Sequence, residues 1–237
     1  MRLGNYIILF IISNILYLGC SSSAESWLEE AKARMKKGDL ITAREAIEKA
    51  LEKNPGYSEA YNLRGVINFQ EKKIDEAILD YQKSVDLKPS NYLGQLNLAA
   101  AFMEKNAWKD AVNPIEKAIK IAPDSSAGYL QRGIIRAALH QIDLSKEDFK
   151  TSIKLNPKEI NAFYNRGNLY FQEDKLDSAI LDFEQTISLN SEYGKSYYAL
   201  GLSYYKKNNF EKSCLAFNQA SKLNYPGAKD ALKNLCK

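Results

Sequence analysis

The segment YNLRGVINFQEKKIDEAILDY, Tyr61 to Tyr81, returns as FYNRGNLYFQEDKLDSAILDF, Phe163 to Phe183, 102 residues further on. That offset is three times 34, and the smaller period runs through most of the chain. Pro55, Pro89, Pro123 and Pro157 fall on it, with Ser191 and Tyr225 at the next two places. Counted from Ala24, the period gives six units: 24–57, 58–91, 92–125, 126–159, 160–193 and 194–227. The eighth place reads Ala31, Gly65, Ala99, Gly133, Gly167, Gly201; the twentieth reads Ala43, Ala77, Ala111, Ser145, Ala179, Ser213. The twenty-seventh reads Ala50, Ser84, Ala118, Ser152, Thr186, Ala220, so all three places are small. Bulky residues hold the seventeenth (Leu40, Ile74, Trp108, Ile142, Leu176, Phe210) and the twenty-fourth (Ile47, Tyr81, Ile115, Phe149, Phe183, Phe217). A short unit of this kind cannot bury its apolar face alone, so neighbouring units must cover it and the chain must build a stack.

The alternation of small and bulky places resembles the tetratricopeptide repeat, and the resemblance covers residues 24–227. It implies an all-α fold, a right-handed α-solenoid of six helix-turn-helix units plus a C-terminal capping helix. Each unit is then two antiparallel helices that approach closely at the small places. Helices are expected near 25–37, 40–53, 58–71, 74–87, 92–105, 108–121, 126–139, 142–155, 160–173, 176–189, 194–207 and 210–223. The proline that follows a second helix stops it. A thirteenth helix near 227–236, in AKDALKNLCK, would cap the last apolar face, with 228–237 lying beyond the sixth unit. Pro114 falls inside the expected helix 108–121 and predicts a kink or a delayed start there.

Arginine stands at the seventh place in three units, as Arg64, Arg132 and Arg166, and aspartate at the twenty-third in the same three, as Asp80, Asp148 and Asp182. The co-occurrence predicts structural ion pairs, within a unit or between neighbours; a grip on an anionic ligand is the alternative. Cys214 and Cys236 sit on the last repeat helix and the capping helix, and a hairpin turning near NYPG would bring them together. In an exported chain that spacing reads as a disulfide, with free thiols as the alternative. His140 lies where a unit turns between its helices, and with one histidine in the chain no metal set is expected. No catalytic constellation and no cofactor motif is found.

By the same resemblance, first helices line a concave groove, chiefly through their second, fifth, sixth, ninth, twelfth and thirteenth places. The fifth, ninth and twelfth form one helical stripe. Candidate groove residues are Asn62, Val66, Phe69, Leu96, Met103, Leu130, Ile134, Tyr164, Asn165, Asn168, Phe171, Tyr198 and Tyr205. This apolar and aromatic lining, with asparagines to bond a peptide backbone, suits an extended or helical segment of a partner protein. Part of it reads equally as core between units. The family's clamp for a C-terminal carboxylate does not carry over, because Leu28, Leu93 and Asn97 replace its basic residues, and the equivalent places in the later units, Leu130, Lys195 and Ala199, are again incomplete.

The chain opens with one charge, Arg2, and an apolar run from Tyr6 to Leu18, too short for a bilayer span and laid out like an export signal over 1–19. LYLGC at its end resembles the lipobox of bacterial lipoproteins, which makes Cys20 the lipidation site and 20–23 a short tether. Tyr17 departs from that motif. Ser21 points to the outer membrane of the cell envelope. Lys plus Arg exceed Asp plus Glu by 33 − 29 = 4, too little for a nucleic-acid surface. The expectation is a non-catalytic adaptor, held on the membrane by lipid and binding a protein or peptide, with no cofactor. A self-assembling envelope lipoprotein is the alternative, since the sequence leaves the oligomeric state open.

Overall fold

A computed structural model describes residues 23–236, which carry thirteen α-helices and no strand. Cys20, the expected lipidation site, lies outside the described residues. No helix among the described residues is long and apolar enough to cross a membrane. The chain divides into two compact units, one ending at Pro55 and one beginning at Gly56.

In the first unit, α1 (Ala24–Lys36) and α2 (Leu40–Lys53) pack on each other through the fully buried Leu28, Ala31, Ala43, Ile47 and Ala50. Both starts are capped. Ser23 Oγ accepts from Ser26 N at 3.2 Å and Asp39 Oδ1 from Thr42 N at 3.3 Å, each satisfying a donor the helix leaves unpaired.

The second unit holds five further helix pairs and a last short helix: α3 (Ser58–Gln70), α4 (Ile74–Leu87), α5 (Tyr92–Glu104), α6 (Trp108–Ile121), α7 (Ser126–Ala138), α8 (Ile142–Leu155), α9 (Ile160–Gln172), α10 (Leu176–Leu189), α11 (Gly194–Lys206), α12 (Phe210–Lys222) and α13 (Ala228–Leu235). Each first helix packs on its own second helix, and α5, α7, α9 and α11 pack also on the second helix before them. Successive first helices α3, α5, α7, α9 and α11 also touch one another, whereas second helices make no contact of that extent. The first helices therefore line the inner face of a curved stack.

The eighth and twenty-fourth places set how closely each pair approaches. A Cβ added at Gly65, Gly133, Gly167 or Gly201 would stand 2.6–2.8 Å from the ring of Tyr81, Phe149, Phe183 or Phe217. Where the eighth place is Ala31 or Ala99, the twenty-fourth is the slimmer Ile47 or Ile115. Summed contact volume is thus conserved while its division changes. Serine at the twentieth place keeps its hydroxyl satisfied in the core: Ser145 Oγ donates to Gly133 O at 2.6 Å and Ser213 Oγ to Gly201 O at 2.9 Å.

First helices in the second unit end one residue before the expected position, because the fifteenth place turns left-handed. Lys72, Asn106, His140, Asp174 and Asn208 all take φ between 58° and 63°. The next residue's N–H then reaches back to the eleventh place, as in Lys73 N to Asn68 O (2.9 Å) and Gln141 N to Arg136 O (2.8 Å), which closes the helix with a Schellman-type pair. His140 serves that turn and is exposed.

Pro114 does not shorten or delay its helix. α6 spans the same 14 residues as α4, α8 and α10, with Pro114 buried at the place where those helices carry aspartate. Proline removes one donor from the ladder, and the packing of Ala111, Ile115, Ala118 and Ile119 on either side keeps the helix intact.

Candidate binding surface

The three arginines and three aspartates meet within single units. Arg64 Nε donates to both oxygens of Asp80, at 3.1 and 3.0 Å, and Nη2 donates to Oδ1 at 2.7 Å. Arg132 repeats this on Asp148 (3.2, 3.0 and 2.8 Å), and Arg166 on Asp182 with Nε at 2.9 Å and Nη2 at 2.7 Å. The aspartates are buried and the arginine side chains 18–25% exposed, so these are fork-to-fork pairs in a dry setting. Each guanidinium also lies over the ring three residues before it: Tyr61 at 5.3 Å, Tyr129 at 5.4 Å and Phe163 at 5.8 Å. Hydrogen bonds donated to Asp148 and Asp182 raise the Arg132 and Arg166 pKa values still further, against the desolvation that opposes them. These geometries leave the carboxylates engaged inside the fold.

Sequence reasoning missed the third members of these networks. Asn68 Nδ2 donates to Asp80 at 2.8 Å and Arg136 Nη1 to Asp148 at 2.7 Å. Both hold the eleventh place, which is a ring in Phe102, Tyr170 and Tyr204. A polar residue there, in units that also carry the aspartate, was the available signal.

The expected groove residues are mostly half-buried and pack against the core, Ile134 and Phe171 among them. Val66 and Phe69 pack against the cluster of Ala77, Tyr81, Val85, Leu98 and Ala101. Leu96 and Met103 pack against that of Ala99, Ile115 and Ile135, and Leu130 against Phe149, Ala162 and Leu169. Tyr164 meets Tyr193 edge-on at 5.5 Å, with Lys195 Nζ 4.4 Å above its ring. Tyr198 leans on Phe217 and Tyr225, at 5.5 and 5.2 Å. Asn62 is buried, and its Oδ1 accepts from Asn97 Nδ2 at 3.0 Å.

Four of the candidates come together. Ile134, Asn165, Asn168 and Phe171 line one cavity of about 300 Å³ between α7 and α9, with Ala137, Phe149, Leu169 and Gln172. Gln172 is an addition that the sequence reading did not make. Lys206 Nζ stands 5.1 Å over the Phe171 ring while pairing with Asp174 at 2.7 Å. Tyr205 lines a different cavity, beside Phe210, Cys214, Leu235 and Cys236. Cys214 and Cys236 are joined there as a disulfide with their Cα atoms 5.6 Å apart. Among the described residues, no cluster of three His, Cys, Asp or Glu side chains is arranged to hold a metal ion.

Protein-family models for the tetratricopeptide repeat match residues 28–92, 160–193 and 194–225. These segments are tetratricopeptide repeats. Arrays of such repeats act in protein–protein interaction. A mouse PEX5-related protein (Mus musculus) is 28% identical over 95 residues, which are 40% of this chain and 17% of that protein, so the chain spans under a fifth of this relative. Among solved structures, PilW, described as a widely conserved type IV pilus biogenesis factor, superposes with a TM-score of 0.80 at 18% identity, over 89% of this chain and 98% of its own. YrrB, described as a TPR protein with an unusual peptide-binding site, superposes at 0.64 with 22% identity, over 80% of this chain and 99% of its own. At these identities the likeness to PilW and YrrB is one of fold.

Proposed function

We propose that the tetratricopeptide array is a non-catalytic adaptor that holds an extended segment of a partner protein on its inner face. One observation carries this reading. In the cavity of Ile134, Ala137 and Phe171, the amides of Asn165, Asn168 and Gln172 have no hydrogen-bond partner among the described residues. Apolar walls with a few uncommitted amides are what a peptide needs, since its side chains seek the walls and its backbone needs both donors and acceptors. The amides also form a row. Asn97 (its Nδ2 engaged by Asn62), Gln131 and Asn165 hold the same place on α5, α7 and α9, and the Gln131 Oε1 is buried without a partner. Neighbouring helices lie about 8–10 Å apart, close to three residues of extended chain, so the row meets every third peptide group. The peptide-binding site ascribed to YrrB supports the same use of the fold.

Selection of displayed peptides on the full chain in lipid nanodiscs tests this. Substituting Asn165→Ala and Asn168→Ala together removes two hydrogen bonds of about 1 kcal/mol each, and selected peptides should bind roughly 30-fold more weakly. Undiminished affinity would move the binding surface off this cavity.

We further propose that the chain is exported and anchored by lipid at Cys20 in a bacterial envelope, on the strength of the LYLGC resemblance and the short apolar run before it. Cys20→Ser should shift the protein from the membrane fraction and abolish incorporation of labelled palmitate. Unchanged fractionation and labelling would end this reading.

A further inference from the structure

The crevice between the two helices of a unit is filled in some units and left open in one. In α9–α10, Arg166 fills it, 5.8 Å from the Phe163 ring and 5.9 Å from the Tyr170 ring, held by Asp182. One unit on, both rings persist as Tyr197 and Tyr204, while the cation and the acid have become Leu200 and Ala216. What remains is a dent of about 350 Å³ between α11 and α12, walled by Tyr197, Leu200, Tyr204, Leu215 and Ala216, with Lys212 at its edge. The other unit of α3–α12 without the pair, α5–α6, does not repeat this hollow. There the ring is replaced by buried Gln95, which donates to Pro89 O at 3.2 Å, and Lys109, Asp110 and Lys117 line a polar cavity.

The dent is separate from the inner groove. Tyr197, Leu200 and Tyr204 form a stripe on α11 roughly 130° round the helix from Tyr198, Leu202 and Tyr205. An exposed leucine alone would not make a site. Leu79 and Leu181 hold the same place as Leu215 and are 70% and 67% exposed, against 63%, but the crevice beside each is closed by an Arg–Asp pair.

Charge selects the occupant. Lys212 lines the dent, its Nζ 5.3 Å over the Tyr204 ring, and Lys222 follows three residues after the lining Gln219 on the same face of α12; both lysines are exposed. Glu184, the nearby acid, already accepts from Tyr204 Oη at 2.8 Å. Residues 194–237 hold eight lysines against Glu211 and Asp230. We propose that this dent takes one leucine or phenylalanine side chain from an acidic segment of another protein, whose carboxylates lie over Lys212 and Lys222.

The probe is a fluorescein-labelled nonapeptide of Glu and Asp with a central Leu, alongside a twin with central Ala, titrated by anisotropy against the full chain in zwitterionic nanodiscs. The Leu peptide should bind at least tenfold more tightly than its twin. The paired substitution Leu200→Arg with Ala216→Asp, which installs the ion pair of the filled units, should erase that preference while circular dichroism shows an intact helical fold. Lys212→Glu, on an exposed residue, should weaken binding of the Leu peptide at least fivefold. Asn165→Ala with Asn168→Ala should leave this binding unchanged, which keeps the test independent of the inner groove. Equal affinity for both peptides, no binding, or a preference that survives the paired substitution would overturn the proposal. So would self-association in sedimentation that the paired substitution abolishes, because the occupant would then be a second copy.

Discussion

Asp182→Ala should lower the free energy of unfolding by about 3 kcal/mol in urea denaturation, since it leaves the Arg166 guanidinium without its carboxylate in a largely dry crevice. The desolvation of that cation is offset in the parent by two charge-assisted bonds at 2.9 and 2.7 Å, and its side chain is only 18% exposed. Asp182→Ala combined with Arg166→Leu should lose no more than about 1 kcal/mol, because both charges then leave together. The chain already contains this exchange at Leu200 and Ala216, in a unit whose helices pack as its neighbours do. Equal losses for the single and the paired substitution would mean that the interaction is shape-filling and owes nothing to charge.

Replacing both Cys214 and Cys236 by alanine should cost about 3 kcal/mol, the chain entropy of reopening a loop whose ends are 22 residues apart. In a stack where each element leans on its neighbours, the loss should stay local. α13 packs on α12 and buries Ala228 and Ala231, a small apolar contact for a helix of eight residues. Hydrogen exchange should therefore show residues 228–235 losing protection, with α5 to α8 unchanged. Protection of α13 that persists without the disulfide would show that packing alone holds the cap.

The helical framework was legible because the 34-residue spacing writes small and bulky places directly, and each has one steric meaning. The Arg–Asp co-occurrence was equally readable, while Asn68 and Arg136 needed the side-chain geometry that brings the eleventh place onto the aspartate. Pro114 is tolerated inside α6, because the packing on either side overrides its local propensity. The groove lining shows the same limit of pattern alone. Periodicity assigns Phe69, Met103 and Leu130 to a face, but it does not register how far the next unit covers that face. The amides of Asn165 and Asn168 stand apart because no described residue takes up their hydrogen bonds.

The reciprocal sizes at the eighth and twenty-fourth places bear on how such a chain is rearranged by recombination. A crossover in the left-handed turn between helices would join the α5 type of first helix, with Ala99, to a second helix carrying Phe149 or Phe183, and drive a methyl group into a buried ring. A crossover in the loop after the second helix keeps each small residue with its own large partner. Crossovers within a unit are thereby disfavoured between the alanine–isoleucine and the glycine–ring classes, while the four glycine–ring units can exchange single helices without that clash.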